Sequence, residues 1–89
     1  MSILHLVSQA GQNYHTVMLA VKEKSGLVQM KEVEPYVHRK KDGSDFFYCY
    51  DIHQDSAQVL SLSSILSARE TGKTFSPRYP VMFHGSFYC

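Results

Sequence analysis

The stretch DFFYCYDIHQDSAQVLSLSSIL, residues 45–66, decides the fold of this chain. It contains two apolar segments separated by a polar turn at residues 53–56. The first segment, residues 46–50, consists of aromatic side chains and one cysteine and has no helical period, which is typical of a β-strand. The second, residues 57–62, places aliphatic side chains beside Gln58 and Ser61 and predicts the returning strand of a hairpin. We expect the rest of the chain to be organised around this pair of strands.

Length and composition indicate one small domain. The chain has 89 residues, of which 44% are hydrophobic, and a net charge of +1. This charge gives no general indication of nucleic acid or an anionic membrane as a partner. No apolar run approaches the ~20 residues that span a bilayer, and the N-terminus lacks a signal peptide pattern. Cys49 and Cys89 are too few for a disulfide scaffold, so we expect reduced thiols in a cytoplasmic protein.

The N-terminal half predicts one helix and two strands. A serine suited to capping precedes an apolar face in the helix at about residues 2–11. Residues 14–23 and 27–34 are predicted to form a hairpin. Val28 and Met30 alternate out of phase with Val33, and a bulge near Lys31 would reconcile them. Pro35 removes a ladder donor and therefore predicts a strand end or edge.

The C-terminal half completes a barrel at about residues 14–78. A helical turn is expected at residues 63–66, and a last strand at residues 67–75 is interrupted by the glycine within it. Frequent turns and short strands favour a mainly β fold, a small five-stranded antiparallel barrel with a short N-terminal helix. The apolar tail, residues 79–89, either covers an edge of this barrel or pairs with another chain by strand addition.

Residues 33–78 resemble a WYL domain, the Sm-like or SH3-like barrel found mostly in bacterial transcription regulators. The family pattern is a basic residue, a valine and a proline at alternate positions, a glycine eight residues on, and then the signature strand. The counterparts in this chain are Lys31, Val33, Pro35 and Gly43, followed by DFFYCYD. The family's T-G-x-x-F-x-P-R ending is present at residues 71–78. The resemblance implies a single stand-alone WYL-like domain over residues 1–89.

The chain departs from the family where ligand chemistry is expected. Asp45, Phe46 and Phe47 stand where the family carries tryptophan, tyrosine and leucine. The following strand usually carries arginines, and the resemblance assigns those positions to anion contact. Their counterparts in this chain are the uncharged Gln58, Ser61 and Ser64. The helix-turn-helix that generally precedes such domains in regulators is also missing, because one short helix cannot supply it.

The signature strand has an aromatic face. Period two places Phe46, Tyr48 and Tyr50 on one side and Phe47, Cys49 and Asp51 on the other. The three aromatic rings could form a stacking platform for nucleobases. The alternative is that they pack against the N-terminal helix or a dimer partner.

A basic run, residues 38–41, precedes the aromatic strand and could contact phosphates beside it. A solvated turn is the alternative. The candidate ligand-binding residues are Lys31, His38, Arg39, Phe46, Tyr48, Tyr50, Gln58, Ser61 and Ser64. Tyr48 and Tyr50 would supply stacking or hydroxyl contacts, and Gln58 and Ser61 neutral hydrogen bonds in place of the family's arginines. The resemblance adds Arg69 and Arg78 as further candidates.

Catalytic, metal and cofactor sites are not indicated. The string SARETGKT, residues 67–74, lacks the first glycine, the parallel sheet and the helix of a phosphate-binding loop. The five histidines share no metal-ligand spacing. Cys49 lies in an apolar strand, which disfavours the thiolate that a nucleophile requires.

The sequence therefore predicts a non-enzymatic module for ligand sensing or regulation. It would bind a small ligand, a nucleotide or a short single-stranded nucleic acid on the aromatic and basic face. The alternative is a protein-interaction module whose ligand site has decayed, forming a homodimer through the aromatic face or the C-terminal tail.

Overall fold

Five antiparallel strands and one N-terminal helix make up the computed structural model, which describes residues 2–82. In chain order the elements are α1 (Ile3–Gln12), β1 (His15–Lys22), β2 (Val28–Lys41), β3 (Ser44–Asp51), β4 (Ser56–Ser61), a 3-10 turn (Leu62–Ser64) and β5 (Ile65–Thr74). The strands form one sheet in the order β4-β3-β2-β1-β5. The predicted mainly β fold with one short N-terminal helix is therefore confirmed. No helix within the described part of the chain is long and apolar enough to cross a membrane.

The sheet is strongly curved. Strands β4 and β5 lie at opposite edges of the sheet, yet the 3-10 turn Leu62–Ser64 alone connects them. So few residues can span only a short distance even when fully extended. The two edges must therefore approach each other, which gives the sheet a barrel-like form.

The core fills the concave side of this sheet. Its buried members include Val17 and Leu19 from β1, Val33 from β2, and Phe47 and Cys49 from β3. Helix α1 packs on β1, β2 and β5. The helix begins at Ser2, whose Oγ accepts a 3.1 Å hydrogen bond from the His5 N–H, as expected of a serine cap.

The turn between β2 and β3 has the geometry of a tight hairpin. Asp42 and Gly43 have φ angles of +53° and +81°. Positive φ at both central residues defines a type I′ turn, whose twist matches that of the flanking strands. The run Lys40-Lys41-Asp42-Gly43 is a turn signal in the sequence. The turn fixes the register of β3 and with it the orientation of the aromatic side chains.

Two predictions about β2, a bulge near Lys31 and a strand end at Pro35, differ from the structure. The β1–β2 ladder is unbroken through Lys31, so the bulge predicted there is wrong. The register shift falls between Pro35 and Val37 in the β2–β3 pairing. Pro35 therefore lies inside a central strand rather than at its end, and it is tolerated because the ladder is already interrupted at the bulge.

The predicted interruption of the last strand is present. The partner of His15 is Thr74, whereas the partner of Val17 is Glu70, so residues 71–73 bulge from the β1–β5 ladder. Gly72 lies in this segment with a φ of +83°.

Candidate ligand-binding groove

The two faces of β3 differ in exposure as the period of the sequence predicts. Phe47, Cys49 and Asp51 are buried on the concave side. On the convex side Phe46 is half-buried and Tyr48 is 45% exposed. Tyr50 shares their face but is only 8% exposed. The aromatic face is therefore open at Tyr48 and closed at Tyr50.

Arg78 covers Tyr50. Its guanidinium carbon lies 4.0 Å from the centre of the Tyr50 ring, and its Nε donates a 3.1 Å hydrogen bond to Glu34 Oε1. The hydrogen bond to Glu34 raises the pKa of Arg78. Arg78 thus occupies the ring surface that a stacked base would use.

An apolar groove of about 450 Å³ lies beside Tyr48 on the convex side. Strands β2, β3 and β4 form its floor, and the chain that follows β5 forms its far wall. Its lining residues are Tyr36, Val37, Tyr48, Cys49, Ala57, Gln58, Val59, Tyr79, Pro80 and Met82. A groove with mainly apolar walls and few polar groups is typical of small-molecule sites.

A basic groove of about 420 Å³ adjoins the apolar one. Its lining residues are Arg39, Lys40, Lys41, Phe46, Tyr48 and Val59. Tyr48 and Val59 line both grooves, so their side chains separate an apolar compartment from a cationic one. The ends of β2 and β3 at the type I′ turn position the basic residues next to the aromatic strand.

His38 is held away from both grooves. Its Nε2 lies 2.8 Å from Asp45 Oδ1, and its side chain is only 12% exposed. Neither groove is lined by His38. The structure therefore places its imidazole in a contact across the β2–β3 hairpin.

Lys31 lies in a buried polar network on the concave side. Its Nζ donates hydrogen bonds to Asp51 Oδ2 at 3.0 Å and to Gln58 Oε1 at 3.3 Å. Gln58 Nε2 in turn donates to Gln54 Oε1 at 2.8 Å. Gln58 thus connects Lys31 to the edge of the apolar groove, whereas Lys31 is itself enclosed.

The pKa of Asp51 reflects this network. Burial by itself would raise the pKa of this carboxyl group, but hydrogen bonds from the Gln54 backbone N–H and from Lys31 hold it below its usual value of 3.8. A carboxylate with hydrogen-bond donors on both sides favours its charged form. Lys31 and Asp51 therefore form an internal ion pair.

The two predicted serines lie apart from Tyr48. Ser61 Oγ is 2.8 Å from Ser63 Oγ, and Ser64 Oγ donates a 2.7 Å hydrogen bond to the Ser61 carbonyl. Ser61 also borders a third depression, with Gly43, Ser44, Asp45, Leu62 and Ser63. Of the nine predicted residues, the structure brings Arg39, Phe46, Tyr48 and Gln58 to the two grooves and disperses Lys31, His38, Tyr50, Ser61 and Ser64.

Sequence reasoning missed the groove wall beyond β5. Tyr79, Pro80 and Met82 form this wall but were not predicted to do so, and Tyr36 of β2, against which Tyr79 packs, was also missed. The apolar tail was expected to pack on its own barrel or on another chain, and residues 79–82 pack on their own barrel. Residues 83–89 of the predicted tail lie outside the described residues.

The Cys49 thiol beside the apolar groove is not activated as a nucleophile. Burial raises the pKa of the Cys49 thiol to about 12, and the nearby Asp51 carboxylate acts in the same direction. Within residues 2–82, no group of three His, Cys, Asp or Glu side chains could hold a metal ion. Aromatic and aliphatic side chains, which stack and exclude water, dominate the apolar groove, whereas cationic side chains, which attract anions, line the basic groove.

Comparison with solved structures supports the fold expected from the resemblance. The chain is similar to the proteasome accessory factor B/C (PafBC) of Arthrobacter aurescens, with a TM-score of 0.76 and 15% sequence identity. The match covers 86% of this chain but only 13% of PafBC, which is a WYL-domain-containing regulator. The chain therefore has a WYL-like fold. No protein-family description and no curated protein sequence matches it.

Proposed function

We propose that this chain is a non-enzymatic sensing or regulatory module that binds an anionic ligand with an aromatic part. A nucleotide or a short single-stranded nucleic acid has this chemistry. The WYL-like fold of the chain fits a regulatory role, and the two grooves on the convex side provide a place for such a ligand.

The main support for this proposal is the position of Tyr48 between the two grooves. Its ring is 45% exposed and lines both the apolar and the basic groove. A base stacked on an exposed aromatic ring gains ~1–3 kcal/mol. From that position an attached phosphate reaches the side chains of Arg39, Lys40 and Lys41, which line the adjoining groove. Stacking and charge neutralisation therefore act on neighbouring parts of one ligand.

This arrangement also accounts for the missing arginines of β4. Gln58 and Ser61 supply no positive charge, and Lys31 is neutralised by Asp51 at 3.0 Å. The exposed cations beside Tyr48 come instead from the end of β2, at residues 39–41. We infer that anion binding in this chain has moved from β4 to the β2–β3 hairpin.

A binding titration tests the proposal. Fluorescein-labelled hexathymidylate and a labelled adenine nucleotide are titrated with the protein at low salt, and fluorescence anisotropy is measured. We expect binding that weakens as salt rises, because phosphate contacts release counterions. The double variant Tyr48→Ala/Arg39→Ala should abolish it.

The matched control changes charge outside the groove. Lys24 is exposed in the β1–β2 turn, at the opposite end of β2 from Arg39. Lys24→Ala should leave the affinity within about twofold of wild type. Absence of binding at low salt, or equal affinity of the wild type and the double variant, would overturn the proposal.

A protein-interaction role is the second candidate, and the exposed apolar side chains favour it. Tyr48, Val59 and Met82 are 45%, 54% and 45% exposed on the convex side. Burying such a patch against a second copy would stabilise a dimer. Light scattering over a concentration series tests this, and Val59→Asp should keep the protein monomeric if the patch is the interface.

A further inference from the structure

The chain after β5 returns across the convex side of the sheet as a strap, which we define as residues 75–82. Its first residue, Phe75, donates its backbone N–H to the Tyr14 carbonyl at 2.9 Å, and its ring contacts Tyr14 and Tyr36 edge-on. Further along, the Tyr79 ring packs against Tyr36 with centroids 5.2 Å apart. The Met82 N–H donates to the Tyr36 carbonyl at 2.8 Å. The strap is therefore attached along β2.

Polar contacts fasten the middle of the strap. We call Glu34, Tyr36, Tyr50 and Arg78 the clasp. The Arg78 backbone N–H donates to Tyr36 Oη at 3.0 Å, and Tyr36 Oη donates to Glu34 Oε1 at 2.6 Å. The Arg78 side chain completes the clasp by pairing with Glu34 and lying over Tyr50. Glu34 is only 5% exposed, so Tyr36 and Arg78 supply the hydrogen bonds that its carboxylate oxygens would otherwise make with water.

The strap is also a wall of the apolar groove. Tyr79 and Met82 face a floor that includes Tyr48 and Val59. Without the strap this side of the groove would be open to water. A ligand that contacts both the floor and the strap therefore binds the closed arrangement more tightly than the open one.

We propose that closure of the strap and occupation of the groove are coupled, with Glu34 and Arg78 positioning the movable wall. This inference rests on the proposed function. A ligand stabilises whichever arrangement it binds better, and the coupling acts equally in both directions. Loosening the clasp therefore weakens ligand binding, and a bound ligand protects the strap.

The clasp has the features of a contact that can open. Arg78 is 47% exposed, so water can replace Glu34 as its hydrogen-bond partner. The residues flanking it, Pro77 and Tyr79, are also exposed. When the strap opens, the Tyr50 ring loses its cover and joins Tyr48 on the accessible aromatic face.

Limited proteolysis measures the opening directly. Trypsin cleaves after Arg78, and this is the basic residue inside the strap. The rate of cleavage at the Arg78–Tyr79 bond is followed by intact-mass spectrometry in wild type, in Glu34→Gln and in the control Glu23→Gln. Glu23 is exposed at the end of the β1–β2 hairpin, so its variant carries the same change of charge away from the clasp. Cleavage after Lys24, in the exposed β1–β2 turn, reports any general effect on trypsin within the same sample.

We expect cleavage at Arg78–Tyr79 to be at least fivefold faster in Glu34→Gln than in wild type, with Glu23→Gln unchanged. Saturating labelled hexathymidylate should slow cleavage at this bond in wild type but not after Lys24. The affinity of Glu34→Gln for the same probe should fall at least threefold, although Glu34 does not line either groove.

The outcomes separate the two proposals. A probe that binds wild type without protecting the Arg78–Tyr79 bond overturns the coupling and leaves the proposed function standing. Equal cleavage of wild type and Glu34→Gln also overturns it, because the clasp would not hold the strap. If the probe binds neither protein while Glu34→Gln is cleaved faster, the proposed function fails and the coupling fails with it.

Discussion

The Nζ atom of Lys31 lies 3.0 Å from Oδ2 of Asp51, and both side chains are buried at 10% and 2% exposure. Lys31 belongs to β2 and Asp51 ends β3, so the pair joins two neighbouring strands on the concave side. The resemblance to WYL domains implied an anion contact for Lys31. In this structure the charge of Lys31 is balanced within the domain by Asp51, so we expect Lys31 to matter for folding rather than for binding an anion.

Removal of one partner from this pair should destabilise the domain. Lys31→Met leaves the Asp51 carboxylate buried without its cation, and breaking a buried pair in this way costs about 3–5 kcal/mol. Urea denaturation should show this loss, while Lys22→Met, at an exposed site, stays within about 0.5 kcal/mol of wild type. The double variant Lys31→Met/Asp51→Leu should recover part of the loss. A Lys31→Met protein as stable as wild type would show that the pair contributes nothing.

The Asp51 contribution should depend on pH in the acid range. Its pKa in the folded protein lies below the usual 3.8. Its stabilisation is therefore fully present above 3.8 and is lost as the pH falls through the folded-state pKa. The difference in the free energy of unfolding between wild type and Asp51→Asn should be constant near neutral pH and shrink in acid. A difference that does not change with pH would contradict this assignment.

Tyr36 should titrate late in the alkaline range. Burial and its hydrogen bond to Glu34 raise the pKa of this phenol from 10.0 to about 12. Its stabilising effect is thus complete below pH 10.0 and disappears as the pH rises through about 12. The ultraviolet absorbance of tyrosinate should contain a late step that Tyr36→Phe removes. Loss of an early step instead would mean that Tyr36 is accessible and that the clasp is open.

The type I′ turn should be sensitive to a side chain at Gly43. A Cβ atom added at Gly43 would have no atom of residues beyond its two chain neighbours within 4 Å, and the φ of this residue is +81°. The penalty is therefore conformational and amounts to ~1–2 kcal/mol for an L-residue. Thermal unfolding should rank the variants Gly43→Asn, Gly43→Ala and Gly43→Val in order of increasing loss, because asparagine tolerates this region best. Equal losses for Asn and Val would point to a steric cause.

Cys49 should be unreactive in the folded protein. Its thiol is 2% exposed, and burial raises its pKa to about 12. In a Cys89→Ser background, iodoacetamide should modify Cys49 only after denaturant is added, because the thiolate is the reacting form. Rapid modification of Cys49 under native conditions would contradict this prediction and would support a nucleophilic role for its thiol.

The sequence predicted those parts of the fold that depend on local pattern. Alternation in DFFYCYD placed Phe47 and Cys49 on the opposite face from Phe46 and Tyr48, and the structure shows that the Phe47 face is the buried one. The turn signal at residues 40–43 predicted the turn before this strand. The bulge predicted near Lys31 was wrong because Val28 and Met30, whose phase suggested it, are exposed side chains on a regular part of β2. The observed register shift falls at Tyr36, next to the proline that lacks a ladder donor, and the sequence pattern predicted no bulge at that position.

The candidate site was less predictable because it depends on contacts between distant segments. Arg39 and Tyr48 lie on the two strands of one hairpin, so the predicted turn between these strands was enough to bring them together. Arg78 reaches Tyr50 only after the chain has passed through β4 and β5, and no local period encodes that return. The many aromatic residues and prolines after Thr74 indicated that this segment packs against a surface, but they did not indicate which residues it would contact.

The pairing of β1 with β5 joins the first and last strands of the sheet, and α1 packs on β5 as well as on β1 and β2. On the ribosome, the helix and the first four strands emerge while one edge of β1 still lacks its partner. The sheet can therefore close only after β5 has been synthesised, and an unpaired edge in a nascent chain can recruit other strands. Release of a chain truncated before β5 should therefore yield aggregates. A chaperone would be of use during synthesis, from the time that β1 emerges until β5 pairs with it.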